Sequence, residues 1–296
     1  MSALAREFLM IIPEHTYYAE ANVLNARLEK PLKEDIRPQA LVKLPKNGQY
    51  QFSQATPFRF EGILSYEGGY TQVAGYPSSK IAGVTTLSTA ALEGLNVLDV
   101  VTADRVVAQI STVHPAYGTG QVPSVTFLGT RFDNLRIAGH KVDLDRNLEI
   151  LGPKPDDDES YFKNRGVLHH ISQQYERIAG SKNLPDWARK EYPKGRQVVD
   201  GSDELTCSLF NGVEGAPGFS FGHVIDLPHF GKIFLGELKV AWKRGDPAKK
   251  INDTYKFHLT MIKIQMGCIG EGTTNIVTAD SNGSGSGGGT KGDNTP

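Results

Sequence analysis

The sequence predicts a mainly β protein, an antiparallel β-sandwich or barrel built from hairpins, and three observations carry that prediction. Residues 94–142 string together runs rich in Val, Ile, Leu, Phe and Thr with turn residues between them. Paired turn formers such as Asn47-Gly48 and Gly68-Gly69 recur between such runs. Helical periodicity is confined to a stretch that begins at Pro153.

With 296 residues, 39% hydrophobic and 22% charged, the chain has the composition of a globular protein with a real core. No linker interrupts the middle, so residues 1–272 are read as one β-rich domain. The formal net charge of −1 leaves no excess of basic groups to neutralise phosphates, which argues against nucleic acid as a partner. No window of about 18 apolar residues exists, so no membrane span is expected. The apolar run Phe8–Ile12 lacks a basic leader and a small-residue cleavage site, and the expected location is cytoplasmic.

In chain order, residues 1–12 suit a short helix and Tyr17–Leu28 alternates as a first strand. Pro31 and Pro38 then break the chain. Asn47-Gly48, between 41–44 and 49–52, is the strongest local hairpin signal and predicts a type I′ turn. Gly68-Gly69 is expected to join 58–66 to 70–74 in a second hairpin. Gly139-His140 is expected to close a third with a type II′ turn, leaving His140 exposed at its tip.

The run Val97–Ile110 is long enough to cross a sheet twice, and both of its alternating sets are largely apolar, so it is expected to be covered on both faces. Asp104 interrupts it. Either a β-bulge near 102–105 swaps the inward set and turns Asp104 outward, or Asp104 is buried and needs a partner, for which Arg131 or Arg136 on a neighbouring strand is favoured over Arg105.

Composition changes at Pro153. Asp156, Asp157 and Asp158 are placed to cap a helix, and Tyr161, Leu168, Ile171, Tyr175 and Ile178 mark one apolar stripe that Gly180 would terminate. A second short helix is expected over Pro185–Tyr192, making 153–200 a helical insertion. The acidic run lacks the spaced ligands of a Ca²⁺ loop. His169 and His170 lie about 100° apart on a helix and cannot converge on one metal. Trp187 and Tyr192 suit anchoring of the helix on a sheet better than stacking on a ring ligand. No metal, cofactor or catalytic constellation is expected.

The β pattern resumes at 205–210, 223–227, 232–242 and 254–268. Gly236 is expected to admit another backbone or a bulky side chain. Antiparallel pairing of the last two strands would set Glu237 near Thr260 and His258 near Lys239. Cys207 and Cys268 each lie in a strand, and a cross-sheet disulfide and two buried thiols are both open. Residues 273–296 are rich in Gly, Ser, Asn, Thr and Asp and are expected to be a disordered, dispensable tail.

Three phrases carry a resemblance: EGLNVLDVVTADRVVAQIST (93–112), VTFLGTRFDNLRIAGHKV (125–142), and FGKIFLGEL with FHLTMIKIQMGC (230–238, 257–268). Together they resemble a group of uncharacterised bacterial β-rich proteins, and VTADRVVAQ is similar to strands of the choice-of-anchor P surface proteins. The resemblance covers most of residues 15–270. It implies a β-rich fold and carries no assigned activity, so it implies no site residue.

Two functions are compatible with these features. One is a non-enzymatic binding, assembly or structural module whose partner is an unknown protein or small molecule, with homo-oligomerisation open. The other is a small-molecule carrier or enzyme with an apolar cavity in a β-barrel, using Asp104, Arg131, Glu237 and His258 as its polar, ligand-binding groups.

Overall fold

The computed structural model describes residues 16–30, 33–79, 81, 83–116, 122–156, 159–195, 204–245, 253–267 and 271–283. The first strands are β1 (Ala19–Lys30), β2 (Glu34–Gln39), β3 (Val42–Lys43), β4 (Gln49–Ala55), β5 (Phe58–Phe60), β6 (Leu64–Tyr66), β7 (Gly68–Pro77), β8 (Gly83–Val97) and β9 (Val101–Pro115). Short strands follow: β10 (Ser124–Thr126), β11 (Arg131–Asp133), β12 (Arg136–Ile137), β13 (His140–Lys141) and β14 (Asp143–Arg146). Helices α1 (Arg165–Ala179) and α2 (Asp186–Glu191) precede β15 (Glu204–Ser208), β16 (Phe210–Glu214), β17 (Phe219–Phe221), β18 (Val224–Leu227), β19 (Gly231–Lys243), β20 (Thr254–Met266) and β21 (Glu271–Gly283).

Most of these strands form two large antiparallel sheets, while β14 and β16 pair as a separate two-stranded sheet. Sheet A runs β17-β18-β19-β20-β21-β1-β2, with β15 beside β19 and β3 beside β1. Sheet B runs β13-β12-β9-β8-β6-β5, with β10 and β11 beside β9, and β7 bridging β8 to β4. Strands β1, β20 and β21 lie against β7, β8 and β9, so the fold is a sandwich. Among the described residues neither sheet closes into a barrel. Leu24, Ile262 and Ile276 of sheet A and Leu92, Val106 and Ile110 of sheet B are fully buried in one core, each worth about 1.5–3 kcal/mol of transfer free energy. At one end the seam is polar: the Ser88 hydroxyl donates to the Glu20 carbonyl at 3.0 Å, and the Thr112 and Ser281 hydroxyls meet at 3.0 Å.

Both sheets change which alternate residues face inward at one row where the cross-strand pairing lapses, and the register is the same on either side of it. In sheet A, the core rows Leu238, Leu259, Ala279, Ala21 and Leu235, Ile262, Ile276, Leu24 are three residues apart on every strand instead of two. Gly236 and Val277 stand between these rows with φ of 62° and 54°. A Cβ on Gly236 would lie 2.4 Å from the Phe210 ring, so this glycine supplies both the backbone conformation and the close approach foreseen for it. In sheet B the same change occurs between Leu92 and Leu95 and between Ala103 and Val106, with Gly94 at φ 64° opposite Asp104.

The helical insertion lies against sheet A. Asn164, not the aspartate run, caps α1: its side-chain oxygen accepts from the Val167 N–H at 3.1 Å, and Gly180 ends the helix. Gln174 and Tyr175 bond the backbone of Ser208 and Thr206 on β15. They thereby satisfy part of an otherwise open strand edge. Trp187 of α2 packs on Phe221 and Phe234 and donates to Asp226 at 2.8 Å, the anchoring role expected of it. No helix among the described residues is long and apolar enough to cross a membrane.

Several local expectations are corrected. Asn47-Gly48 does not close a hairpin: β3 pairs with β1 and β4 pairs with β7, so the turn carries the chain from one sheet to the other. Gly68-Gly69 begins β7, and the hairpin joins β5 to β6 through Glu61-Gly62. The third hairpin shifts by one residue to Ala138-Gly139, whose φ values of 46° and 79° define a type I′ turn. The run 97–110 is not one strand. Leu98 and Asp99, both at positive φ, turn it, and Asn96 and Asp99 brace the turn through bonds of 2.6 and 2.8 Å.

The largest correction concerns the tail. Residues 271–283 are a central strand of sheet A, flanked by β1 and β20, with Ile276, Val277 and Ala279 fully buried. Residues 284–296, the proposed helix over 1–12, and Cys268 lie outside the described residues.

Ending the chain at Asn275 removes that buried run and opens two long strand edges. The cooperative urea transition is expected to disappear, as followed by near-UV circular dichroism. A truncated protein that still unfolds cooperatively at the wild-type midpoint would refute the central role of β21.

Candidate polar sites on the sheet faces

The outer face of sheet A carries a connected polar cluster where the strands change parity. Glu237 of β19 pairs in register with Thr260 of β20, and Lys239 with His258, the pairing expected from the sequence. In β21, Asp280 stands opposite His258 and Thr278 opposite Thr260. Asp280 Oδ1 lies 2.5 Å from His258 Nδ1, and His258 Nε2 lies 3.1 Å from Thr260 Oγ1. Lys263 Nζ reaches both carboxylate oxygens of Glu237 at 3.4 Å. Asn22 of β1 donates to Thr278 at 2.6 Å and extends the cluster to a fourth strand.

Electrostatics follow from this geometry. Burial pulls the His258 pKa down, but the hydrogen bond and charge of Asp280, aided by Glu237 and opposed by Lys239, outweigh it and the net shift is upward. Burial, aided by the charges of Asp280 and Glu20, pushes the Tyr18 hydroxyl up to about 12. His223, buried beside Tyr192, is driven down to about 4 by burial and by the Lys263 charge. Cys207 is buried and its thiol is pushed up to about 12, which leaves it protonated and unreactive at neutral pH.

The Asp280–His258–Thr260 chain has the connectivity of a carboxylate, an imidazole base and a hydroxyl nucleophile. Thr260, however, is only 3% exposed. Its hydroxyl is closed to a substrate and holds the His258 ring of its own strand.

A second polar site lies on sheet B. Ser65, Glu67, Asn96, Asp104, Asn134 and Arg136 help line an open groove of about 430 Å³ around Gly94. Of the two placements open for Asp104 the structure takes the outward one: it is exposed and accepts from Asn134 Nδ2 at 3.3 Å, and the buried pair with an arginine does not form. The change of inward set at Gly94 turns it outward, the outcome a bulge would have produced, with the strand register unshifted. Arg131 pairs instead with its own-strand neighbour Asp133 at 3.3 Å, and Arg136 donates to the Gly139 carbonyl. Of the four residues singled out from sequence, Glu237 and His258 come together, while Asp104 and Arg131 lie on the other sheet. Asp280 and Lys263 were not foreseen as members. Among the described residues no group of three or more His, Cys, Asp or Glu could hold a metal ion.

These features define an antiparallel β-sandwich with a helical insertion and polar sites open on its outer faces. The chain belongs to the DUF8256 family, a domain of unknown function, which matches residues 15–241. No curated protein and no solved structure matches it. The family match stops within β19, although β20 and β21 complete the sheet that β1 begins.

Two outcomes are expected. His223 has a folded pKa below its unfolded value near 6.5, so the unfolded chain binds the extra proton, and stability falls as pH drops from about 6.5 towards 4, by on the order of 3 kcal/mol. His258, shifted the other way, contributes stability below the unfolded value that is lost as pH rises through its folded pKa. Urea midpoints between pH 7 and pH 4.5 should therefore fall less in His223→Gln than in wild type, and parallel profiles would refute the assignment. Asp104→Ala, removing one exposed partner, should cost under about 0.5 kcal/mol at pH 7, and a loss above about 2 kcal/mol would contradict the exposed placement.

Proposed function

We propose that this chain is a non-enzymatic binding module that meets its partner on the open faces of the sandwich. The observation that carries the reading is the row of half-exposed aromatic side chains on the β4–β7 edge of sheet B: Tyr50 (49% exposed), Phe52 (52%) and Tyr76 (50%). Large rings standing together on a rigid strand pair offer contact area at a low entropic cost. The likeness of VTADRVVAQ to strands of bacterial choice-of-anchor P surface proteins is in keeping with a module that meets other molecules. The alternative, a carrier or enzyme, draws on the Asp280–His258–Thr260 chain, and the burial of Thr260 weighs against it.

A Phe52→Ala/Tyr76→Ala double variant tests the reading on three probes: sedimentation of the protein alone, flotation with anionic phospholipid vesicles, and electrophoresis through gels containing soluble polysaccharide. Wild type is expected to engage one of them, and the double variant to lose about tenfold or more of that affinity with an unchanged urea midpoint. A wild type that engages none of the three overturns the proposal.

A further inference from the structure

We infer that the outer face of the β4–β7 edge binds a neutral, extended glycan chain, an inference that rests on reading the protein as a binding module. Strand register sets the chemistry of that face. Phe52 and Gln72 form one cross-strand row, closed at its far end by buried Thr89 and by Gln109 beneath Gly129, Gln54 and Tyr70 begin the next, and Tyr50 stands beside Ala74. Rings and amides thus alternate on one side of the sheet instead of merging into the continuous apolar patch that a protein partner's core contact would require.

The platform is braced before any ligand arrives. Phe52 stacks on Tyr70 with ring centroids 6.0 Å apart and planes inclined by 21°. Tyr70 in turn accepts from Arg105 at 3.4 Å, and the Tyr50 hydroxyl donates to Gln72 at 3.3 Å. Side chains already held in place lose little entropy on binding.

Charge decides the class of ligand. Among the described residues, the ionised groups beside Tyr70 are paired with each other, Arg105 with Glu93 at 3.7 Å and Arg131 with Asp133 at 3.3 Å, so this part of the face carries no excess of either charge. A polyanion or an anionic lipid surface would need an excess of basic groups here. An uncharged pyranose chain fits instead: its C–H faces lie on the negative faces of the rings and its hydroxyls meet the amides between them. Among the described residues β4 pairs with β7 alone, which leaves its other side without a paired strand.

Native electrophoresis through gels containing hydroxyethylcellulose, xylan or soluble starch tests the assignment, with heparin as the anionic counter-probe and Phe219→Ala, an exposed ring on sheet A, as the control. Wild type and Phe219→Ala are expected to be retarded by at least one neutral polymer. Phe52→Ala and Tyr50→Ala should weaken retardation about tenfold, while Tyr50→Phe keeps most of it, and all the variants should retain the wild-type urea midpoint. Retardation by heparin alone, or by no polymer, overturns the glycan assignment, as does retardation that Phe52→Ala leaves intact. If wild type instead sediments as a dimer that Phe52→Ala dissociates, the glycan assignment falls and the binding-module reading stands. If neither polymer, vesicle nor second copy is bound, both fall.

Discussion

The structure turns on the change of inward set in the middle of its long strands. A β-strand presents alternate residues to one face, so a strand of 13 or 15 residues would normally commit all its odd or all its even positions to the core. Here both packed sheets exchange parity at one cross-strand row while keeping register on either side of it. The exchange is accommodated by Gly236 and Gly94 where a side chain would collide, and by Val277, a β-branched residue held at φ 54°. That last conformation costs on the order of 1–3 kcal/mol and is tolerated because Val277 is fully buried between two paired strands.

Both polar sites are products of this exchange. In sheet A it brings two outward rows three residues apart into reach, so Lys263 meets Glu237 and Asn25 meets Asn22. In sheet B it lays the Glu67 side chain over Gly94, turns Asp104 to the surface and opens the groove between them. The aromatic face lies beyond the exchange, on the part of sheet B where simple alternation holds, and so its rings and amides fall in regular rows.

What could be read from the sequence follows from how local each cause is. The β19–β20 pairing was legible because period-2 patterns on both sides of one loop leave few registers, and Trp187 because an aromatic residue on a short helix needs a surface to cover. Asn47-Gly48 misled because a turn signal fixes the local backbone without fixing which strand is the next neighbour. Leu98-Asp99 was invisible as a turn: its positive φ values are held by Asn96 and by a bond from Leu98 N–H to the Ile63 carbonyl, not by glycine. The TTNIVTADS segment at 273–281 is rich in β-branched residues, but the Gly/Ser composition that follows it masked the strand, and with it Asp280, the partner that orients His258.

The position of β21 also bears on how the molecule assembles. Asn22 and Thr278 are hydrogen-bonded across 256 positions of sequence, and β1 meets β20 only through this late segment. During synthesis, β1 waits with one long edge unpaired until the segment 256 positions further on has been made. Contacts of such high sequence separation close slowly, and the exposed edge is a template for intermolecular pairing in the interval. The interval in which this protein is open to intermolecular pairing is therefore set by the sequence distance between β1 and β21, whatever the depth of its native core.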